Sequence, residues 1–407
     1  MHNVYEISPE IFWIGGNDRR IERFENMFPL PNGVAYNSYL ILDDKTAIID
    51  TVDSSISALY LENIKHVLGG RSLDYLIINH MEPDHCANIE EIARRYPGVK
   101  IVGNKKTFQF MEQYYSLDMS SNYLEVQEGS ELNLGSHTLR FYLAPMVHWP
   151  EVMFTYEVQK GILFSADAFG SFGAMAGNLF ADEVEYDNQF LDEARRYYAN
   201  IVGRYGSQVQ AVFRKLGNLP INMICSLHGL IWRGEDIAYI MGKYDLWSRY
   251  LPEKKGIVLV YASMYGNTEN AMNALAAKLA QRGVKDMRMY DVSKTHPSYI
   301  ISDIFKYSHI VLGSCTYNMN LYFPMDSLLR EISVLGVKDR KVAVLGNHTW
   351  ASAAVKCITE LLGTMKGMEL ITAPLDIRST LKAGQEEELN AVADAIYASL
   401  MESGEAQ

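Results

Sequence analysis

Cysteine is scarce in this 407-residue chain: Cys86, Cys225, Cys315 and Cys357 lie far apart and form no C-x-x-C pair. That spacing argues against a disulfide framework or an iron–thiolate centre within the chain, so any iron–sulfur chemistry is expected on a partner. Missing too is any apolar run of about eighteen residues. The opening stretch MHNVYEISPE has neither the basic start nor the apolar core of a signal peptide, and the expectation is a cytoplasmic protein with no membrane span. There is no basic excess. The formal net charge is -12, which argues against nucleic acid or an anionic membrane as partner. From Glu253 onward 16 basic residues face 17 acidic ones, leaving -11 for the first 252 residues.

What is present suits a globular protein of two domains: 48% apolar and 21% charged residues, in a chain too long for one ordinary core. The segment RYLPEKKGIVLVYAS (249–263) sets a proline, a charge cluster and a glycine between a helical and a strand pattern. It places the boundary near 252, giving domains 1–252 and 253–407. Before it, β-rich runs predominate: YNSYLIL (36–42), TAIIDTV (46–52), YLIINH (75–80), KIVGN (100–104), LRFYLAP (139–145), GILFSAD (161–167) and NMICSLH (222–228). Helical patterns such as ANIEEIARRY and LDEARRYYANIVGRY stand among them. After the boundary strands and helices alternate: strand 257–262, helix 267–281, strands 287–292 and 309–314, helix 325–334, strand 341–346, helix 352–366, strand 370–377 and helix 384–401. Alternation of this kind predicts a doubly wound parallel sheet of five strands.

In the first half, polar residues of one chemical kind follow the strands. His80, Glu82, Asp84 and His85 crowd behind YLIIN, His148 follows LRFYLAPMV, Asp167 follows GILFSA, and His228 follows NMICSL. Loops at one rim of a sheet are where such folds gather chemistry. Imidazole with carboxylate suits zinc, iron or manganese, and seven candidates exceed the needs of one tetrahedral ion. Two ions need a bridging carboxylate, and Asp167 is the natural choice. His80, Glu82 and His148 then fall to one ion and Asp84 with His228 to the other, His85 being open between ligand and bystander. Trp149 and Met153 are expected as walls of this pocket.

In the second half, VLVYASMYGNTENAM (258–272) is a strand, a tight loop and a helix start. The loop residues Ser263, Met264, Tyr265, Gly266, Asn267 and Thr268 offer hydroxyls and backbone N–H groups to a phosphate monoester. Two further loops follow central strands: one holds Ser314, Cys315, Thr316, Tyr317 and Asn318, the other Gly346, Asn347, Thr349 and Trp350. Tyr317 and Trp350 are flat side chains suited to a flavin ring. No G-x-G-x-x-G follows the first strand, so a mononucleotide is expected over a dinucleotide.

H-x-E-x-D-H at 80–85 resembles the H-x-H-x-D-H signature of the metallo-β-lactamase superfamily with Glu82 in place of the second histidine. With the spacing to His148, Asp167 and His228, and with S-x-Y-G-N-T at 263–268 resembling the phosphate loop of flavodoxin, nearly the whole chain is similar to the flavodiiron proteins, or A-type flavoproteins. The resemblance implies a metallo-β-lactamase-like αββα sandwich followed by a flavodoxin-like domain. It implies two non-heme irons, FMN, and reduction of O2 to water, of NO to N2O, or of both. It also implies a separate rubredoxin-like electron donor and a head-to-tail homodimer, alone or as a dimer of dimers. Glu82 hardens the site toward iron. The chain departs from the family at Glu25, where relatives carry a histidine, and at Ser171 and Phe172, where they read Gln-His. Two alternatives remain open at this point: a zinc hydrolase with a regulatory flavodoxin domain, and an electron carrier whose metal half is only a scaffold.

Overall fold

The computed structural model describes residues 2–402. They form two compact units: the chain up to Tyr198 together with Tyr205–Asp245, and Ala199–Arg204 together with the chain from Leu246 onward.

The first unit holds two sheets. In the seven-stranded one the order is Tyr5–Ser8, Ile11–Trp13, Tyr39–Leu42, Thr46–Ile49, Tyr75–Ile77, Lys100–Gly103, Tyr123–Glu125. The six-stranded one runs Glu131–Asn133, Thr138–Leu143, Met153–Glu157, Ile162–Phe164, Met223–Cys225, Trp232–Arg233. Helices Ser57–Leu68 and Lys105–Tyr114 lie against the first of these sheets, at strands Tyr39–Leu42 and Lys100–Gly103, in keeping with the αββα arrangement expected. Thr46–Ile49, Met153–Glu157 and Ile162–Phe164 are buried at every position, as strands covered on both faces must be. Ile162–Phe164 and Met223–Cys225 pair in parallel, which brings their C-terminal ends, and so Asp167 and His228, to one rim.

The second unit carries a parallel sheet in the order Met287–Asp291, Lys254–Ala262, Tyr307–Tyr317, Arg340–His348, Met368–Leu370. The first strand in sequence lies second in the sheet, and the order reverses between it and Tyr307–Tyr317; ligands of doubly wound sheets bind at such a switch point.

Three expected elements differ. YNSYLIL is broken, Val34–Tyr36 pairing with Gly16–Asp18 and Tyr39–Leu42 with its own neighbours, because the buried Asn37 gives its backbone N–H to the Leu227 carbonyl at 2.8 Å instead of continuing a ladder, while its side chain donates to the Ser226 and Gly229 carbonyls. LITAPLDI is two strands, Met368–Leu370 and Leu375–Arg378, both on Arg340–His348; Pro374 lies in the gap, and proline donates nothing to a ladder. LDEARRYYANIVGRY is an α-helix only over Leu191–Tyr197, then a π turn, Tyr198–Val202, and a 3-10 turn, Gly203–Tyr205. Residues 194–203 are all buried, so no solvent face imposes the 3.6-residue period.

Candidate metal centre and flavin cavity

The metal candidates converge. Glu82, at the N-cap of the short helix Pro83–Cys86, precedes a proline already set to helical φ, so the chain turns immediately and presents Asp84 and His85. The His85 carbonyl is held by the Thr51 amide at 2.9 Å and its hydroxyl at 2.7 Å. Asp50, at φ 55°, buried and outside any strand, accepts the Asn79 and His80 amides at 2.7 and 3.1 Å. Asp167 is flanked by Ala166 at φ 48° and Phe169 at φ 70°, conformations that non-glycine residues adopt at a cost and that gather at functional sites.

His80, Glu82, His148 and Asp167 form one group and Asp84, His85 and His228 a second, all buried. In the first, Glu82 Oε2 lies 3.2 Å from His80 Nε2 and 3.0 Å from His148 Nε2, and Asp167 Oδ2 lies 3.3 and 3.0 Å from the same nitrogens. In the second, Asp84 Oδ2 is 3.3 Å from both His85 Nε2 and His228 Nε2, and Asp167 Oδ1 is 3.1 Å from His85 Nε2 and 3.7 Å from His228 Nε2. Separations near 3 Å are the edges of a coordination shell whose bonds are about 2.0–2.2 Å. Asp167 thus turns one oxygen to each group. His85 falls inside the second group.

Two observations favour a cation in the second group. Both Asp84 oxygens and Asp167 Oδ1 are buried with no hydrogen bond among the described residues, an expense that a metal removes. His85 Nε2 and His228 Nε2 face each other at 3.0 Å; His228 Nδ1 lies 2.9 Å from the Ala35 carbonyl, which only accepts, so the Nε2 lone pair is directed at the cluster. His80 is oriented likewise by Glu151, whose Oε1 stands 2.8 Å from Nδ1 and also accepts the Met81 amide at 2.8 Å. Electrostatics agree. Burial disfavours charge on His85 and His148, yet the surrounding carboxylates override it and push both imidazoles up to about 9. Despite burial, the imidazoles hold Asp167 and Glu82 well below the usual carboxylate range. Such a cluster demands positive charge, from protons or from metal.

Aromatic rings wall the site. Trp149 packs edge-on to His80 at 5.4 Å, while Phe24, Tyr36 and Tyr197 surround His228 at 5.3, 5.7 and 5.4 Å. Phe172 backs Phe24 and Tyr197, with the Arg196 guanidinium 4.4 Å above its ring. Met153 belongs to the sheet core, paired with Leu143. Glu25 stands beside Glu82, and loss of water around its carboxyl together with that neighbour pushes it up to about 8. Phe24, Tyr36 and Tyr197 escape sequence reading because aromatic residues of their kind are common in any core, and Asp50 and Glu151 because nothing in the sequence ties them to His80, 30 and 71 residues away; the left-handed turn at Asp50 is a backbone property.

In the second unit a cavity of about 440 Å³ opens at the switch point, within the range of cofactor sites. Of the expected residues, Ser263, Met264, Tyr265, Asn267, Thr268, Cys315, Thr316, Tyr317, Asn318, Asn347, Thr349 and Trp350 line it, with Met319, His348 and Ala351 in addition. Gly266, Ser314 and Gly346 are not among the lining residues. Gly266, at φ 89°, turns the loop into helix Asn267–Gln281, and its N–H is accepted by Ser263 Oγ at 3.1 Å. No side chain caps that helix, so its first amides are left to an anion, as a phosphate group requires. Asn318 and Met319 sit at φ 48° and 61°, forming the tight turn of a hairpin that closes Tyr317 on Asn320. Cys315 is buried, which raises its thiol above the usual range.

Residues 34–229 match the ODP family beta lactamase model and residues 259–391 the flavodoxin model. The chain is 31% identical over 382 residues to a nitric oxide reductase of Moorella thermoacetica, covering 92% of this chain and 93% of that protein. It is 31% identical over 394 residues to an anaerobic nitric oxide reductase flavorubredoxin of Aeromonas hydrophila, covering 95% of this chain and 77% of that one. Its fold superimposes on the rubredoxin oxygen:oxidoreductase of Desulfovibrio gigas with a TM-score of 0.91 at 27% identity, over 99% of this chain and 100% of that one. A β-lactamase-like half with paired His/carboxylate groups, a flavodoxin half with an open cavity, and relatives matching across both place this chain in the flavodiiron protein family.

Proposed function

We propose that this protein reduces O2, NO or both at a diiron centre held by His80, Glu82, Asp84, His85, His148, Asp167 and His228 and refilled from FMN in the second unit. The observation that carries this reading is Asp167, whose two oxygens each face a separate pair of histidines. When bound, two irons supply redox electrons and a clamp for a diatomic molecule, and FMN relays electrons to them.

The chain's own residues do the rest. Glu151 and the Ala35 carbonyl fix the His80 and His228 rings so that Nε2 faces the cluster. Asp167 holds the two groups together and Glu82 lends negative charge that favours the higher iron oxidation state. Phe24, Phe172 and Trp149 keep bulk water from the site, which strengthens every charge interaction inside it. Burial and the nearby carboxylates hold Tyr197 protonated, and its O–H, without a partner among the described residues, is left to donate. In the second unit Tyr317 and Trp350 would hold the flavin ring and the start of the Asn267–Gln281 helix would take its phosphate.

The cavity rim is apolar and exposed, with Tyr265 91%, Trp350 87% and Met319 67% accessible, and such rims mark interaction sites. It supports a head-to-tail homodimer, alone or as a dimer of dimers, in which one copy's flavin serves its partner's metal centre. A rubredoxin-type protein of the cytoplasm is the proposed electron donor. Among the described residues no helix is long and apolar enough to cross a membrane. The test is parallel consumption of O2 and NO by anaerobically purified protein supplied with a chemically reduced rubredoxin. Consumption that Asp167→Asn abolishes supports the reading; ester hydrolysis without gas consumption overturns it.

A further inference from the structure

The turn joining strand Arg340–His348 to helix Ala354–Gly363 carries Trp350 at the cavity rim. Both ends of that turn meet one carboxylate. His348 Nδ1 lies 3.1 Å from Asp376 Oδ1, and Ser352 Oγ donates to Asp376 Oδ2 at 2.5 Å. A carboxylate accepts only, so Nδ1 carries the hydrogen. Asp376 sits on strand Leu375–Arg378 in register with Gly346. A Cβ at 346 would come within 2.8 Å of Asp376 Oδ1 and 2.4 Å of Val355 Cγ2, so a glycine there is what admits the carboxylate.

Other bonds fix the flanks but leave the tryptophan itself free. The Ser379 amide donates to the His348 carbonyl at 2.7 Å and Arg378 Nε to the Thr349 carbonyl at 3.3 Å. Just beyond the turn, Thr316 Oγ1 accepts the Ala353 and Ala354 amides at 3.0 and 3.1 Å, tying it to the loop that bears Tyr317. The positions of the two aromatic flanks are therefore linked, and the His348–Asp376–Ser352 clamp governs the more exposed of them.

We propose that His348 and Asp376 are positioning residues for the flavin, clamping the 348–352 turn so that Trp350 is held against the ring. The proposal rests on reading this cavity as the FMN site. It is tested on full-length holoprotein by FMN titration and by visible circular dichroism of the bound flavin, comparing wild type with His348→Ala, His348→Asn, Asp376→Ala and the double alanine variant. Asparagine places an N–H where Nδ1–H stands and so keeps the bond to Asp376.

The expected result is an FMN Kd raised about tenfold in each alanine variant, the scale of one charge-assisted hydrogen bond, with an altered flavin dichroism. His348→Asn restores both. The double variant is no worse than Asp376→Ala, which already loses the bonds from both His348 and Ser352, as for groups acting as a unit, and iron content is unchanged throughout. Wild-type affinity and dichroism in His348→Ala, or no rescue by asparagine, overturns the clamp. If Asp376→Ala does not fold, the two His348 variants decide the matter. Wild-type protein that takes up no FMN removes the flavin reading and the clamp together, whereas flavin uptake indifferent to His348 removes the clamp alone.

Discussion

Replacing Glu151 should weaken the metal group of His80, Glu82 and His148 without touching a ligand. Its carboxylate is fully buried, and one oxygen serves both His80 Nδ1 and the Met81 amide at 2.8 Å. Its own position is fixed, since the Asn104 amide nitrogen donates to the Glu151 carbonyl at 2.5 Å while the Asn104 oxygen caps helix Lys105–Tyr114. Alanine at 151 leaves the imidazole free to rotate or change tautomer, and losing such a partner costs about 10–100-fold in metal affinity, or about 1.4–2.7 kcal/mol. It also strands the Met81 amide, a further cost to folding of about 1–3 kcal/mol. Glutamine keeps an acceptor and loses only the charge, so Glu151→Gln should fall between wild type and Glu151→Ala. The assay is iron retention against a graded chelator, read by mass spectrometry on protein shown to be folded by circular dichroism. The variant should lose iron at lower chelator concentration, down to about one ion per chain, because the group of Asp84, His85 and His228 does not touch Glu151. Folded Glu151→Ala with wild-type retention of both ions would refute the orientation argument.

Tyr197→Phe removes a buried hydroxyl that has no hydrogen bond among the described residues, so stability should hold within about 0.5 kcal/mol in urea unfolding. Gas turnover should fall at least about tenfold if this O–H serves charge developing in the cluster; unchanged turnover would assign it to packing. Gly229, at φ 70°, would place a Cβ 2.2 Å from Ser171 Oγ. Gly229→Ala should therefore destabilise the fold by about 2 kcal/mol or more, and an unshifted unfolding midpoint would contradict the packing described. His85 and His148 keep their protons up to about 9 without metal and must release them to ligate. Iron affinity of the apoprotein should accordingly rise from pH 6 to pH 8, with protons released into a dye-buffered solution; a pH-independent affinity would count against these imidazoles as ligands.

Much of the site was legible because its chemistry is compressed. His80, Glu82, Asp84 and His85 stand within six residues, and His148, Asp167 and His228 each follow an apolar strand, so the topology had few ways to separate them. His85, left open on sequence, lies within reach of Asp84 and Asp167. The supports were not legible. Glu151 and Asp50 act across 71 and 30 residues on His80, and an isolated acid in a strand-rich stretch carries no mark of its partner. The parallel sheet of the second unit followed from its alternation, whereas the break at Pro374 did not, because the apolar pattern continues through it. His348 lay inside a loop already read as flavin-binding, yet its tie to Asp376 depends on a strand pairing 28 residues away.

The most direct test is the metal and flavin content of protein purified without oxygen from cells given both iron and zinc. The account predicts about two irons and about one FMN per chain, with the second iron lost in Asp167→Asn. Zinc in place of iron, with FMN still bound, would contradict the redox centre and return the fold to hydrolysis.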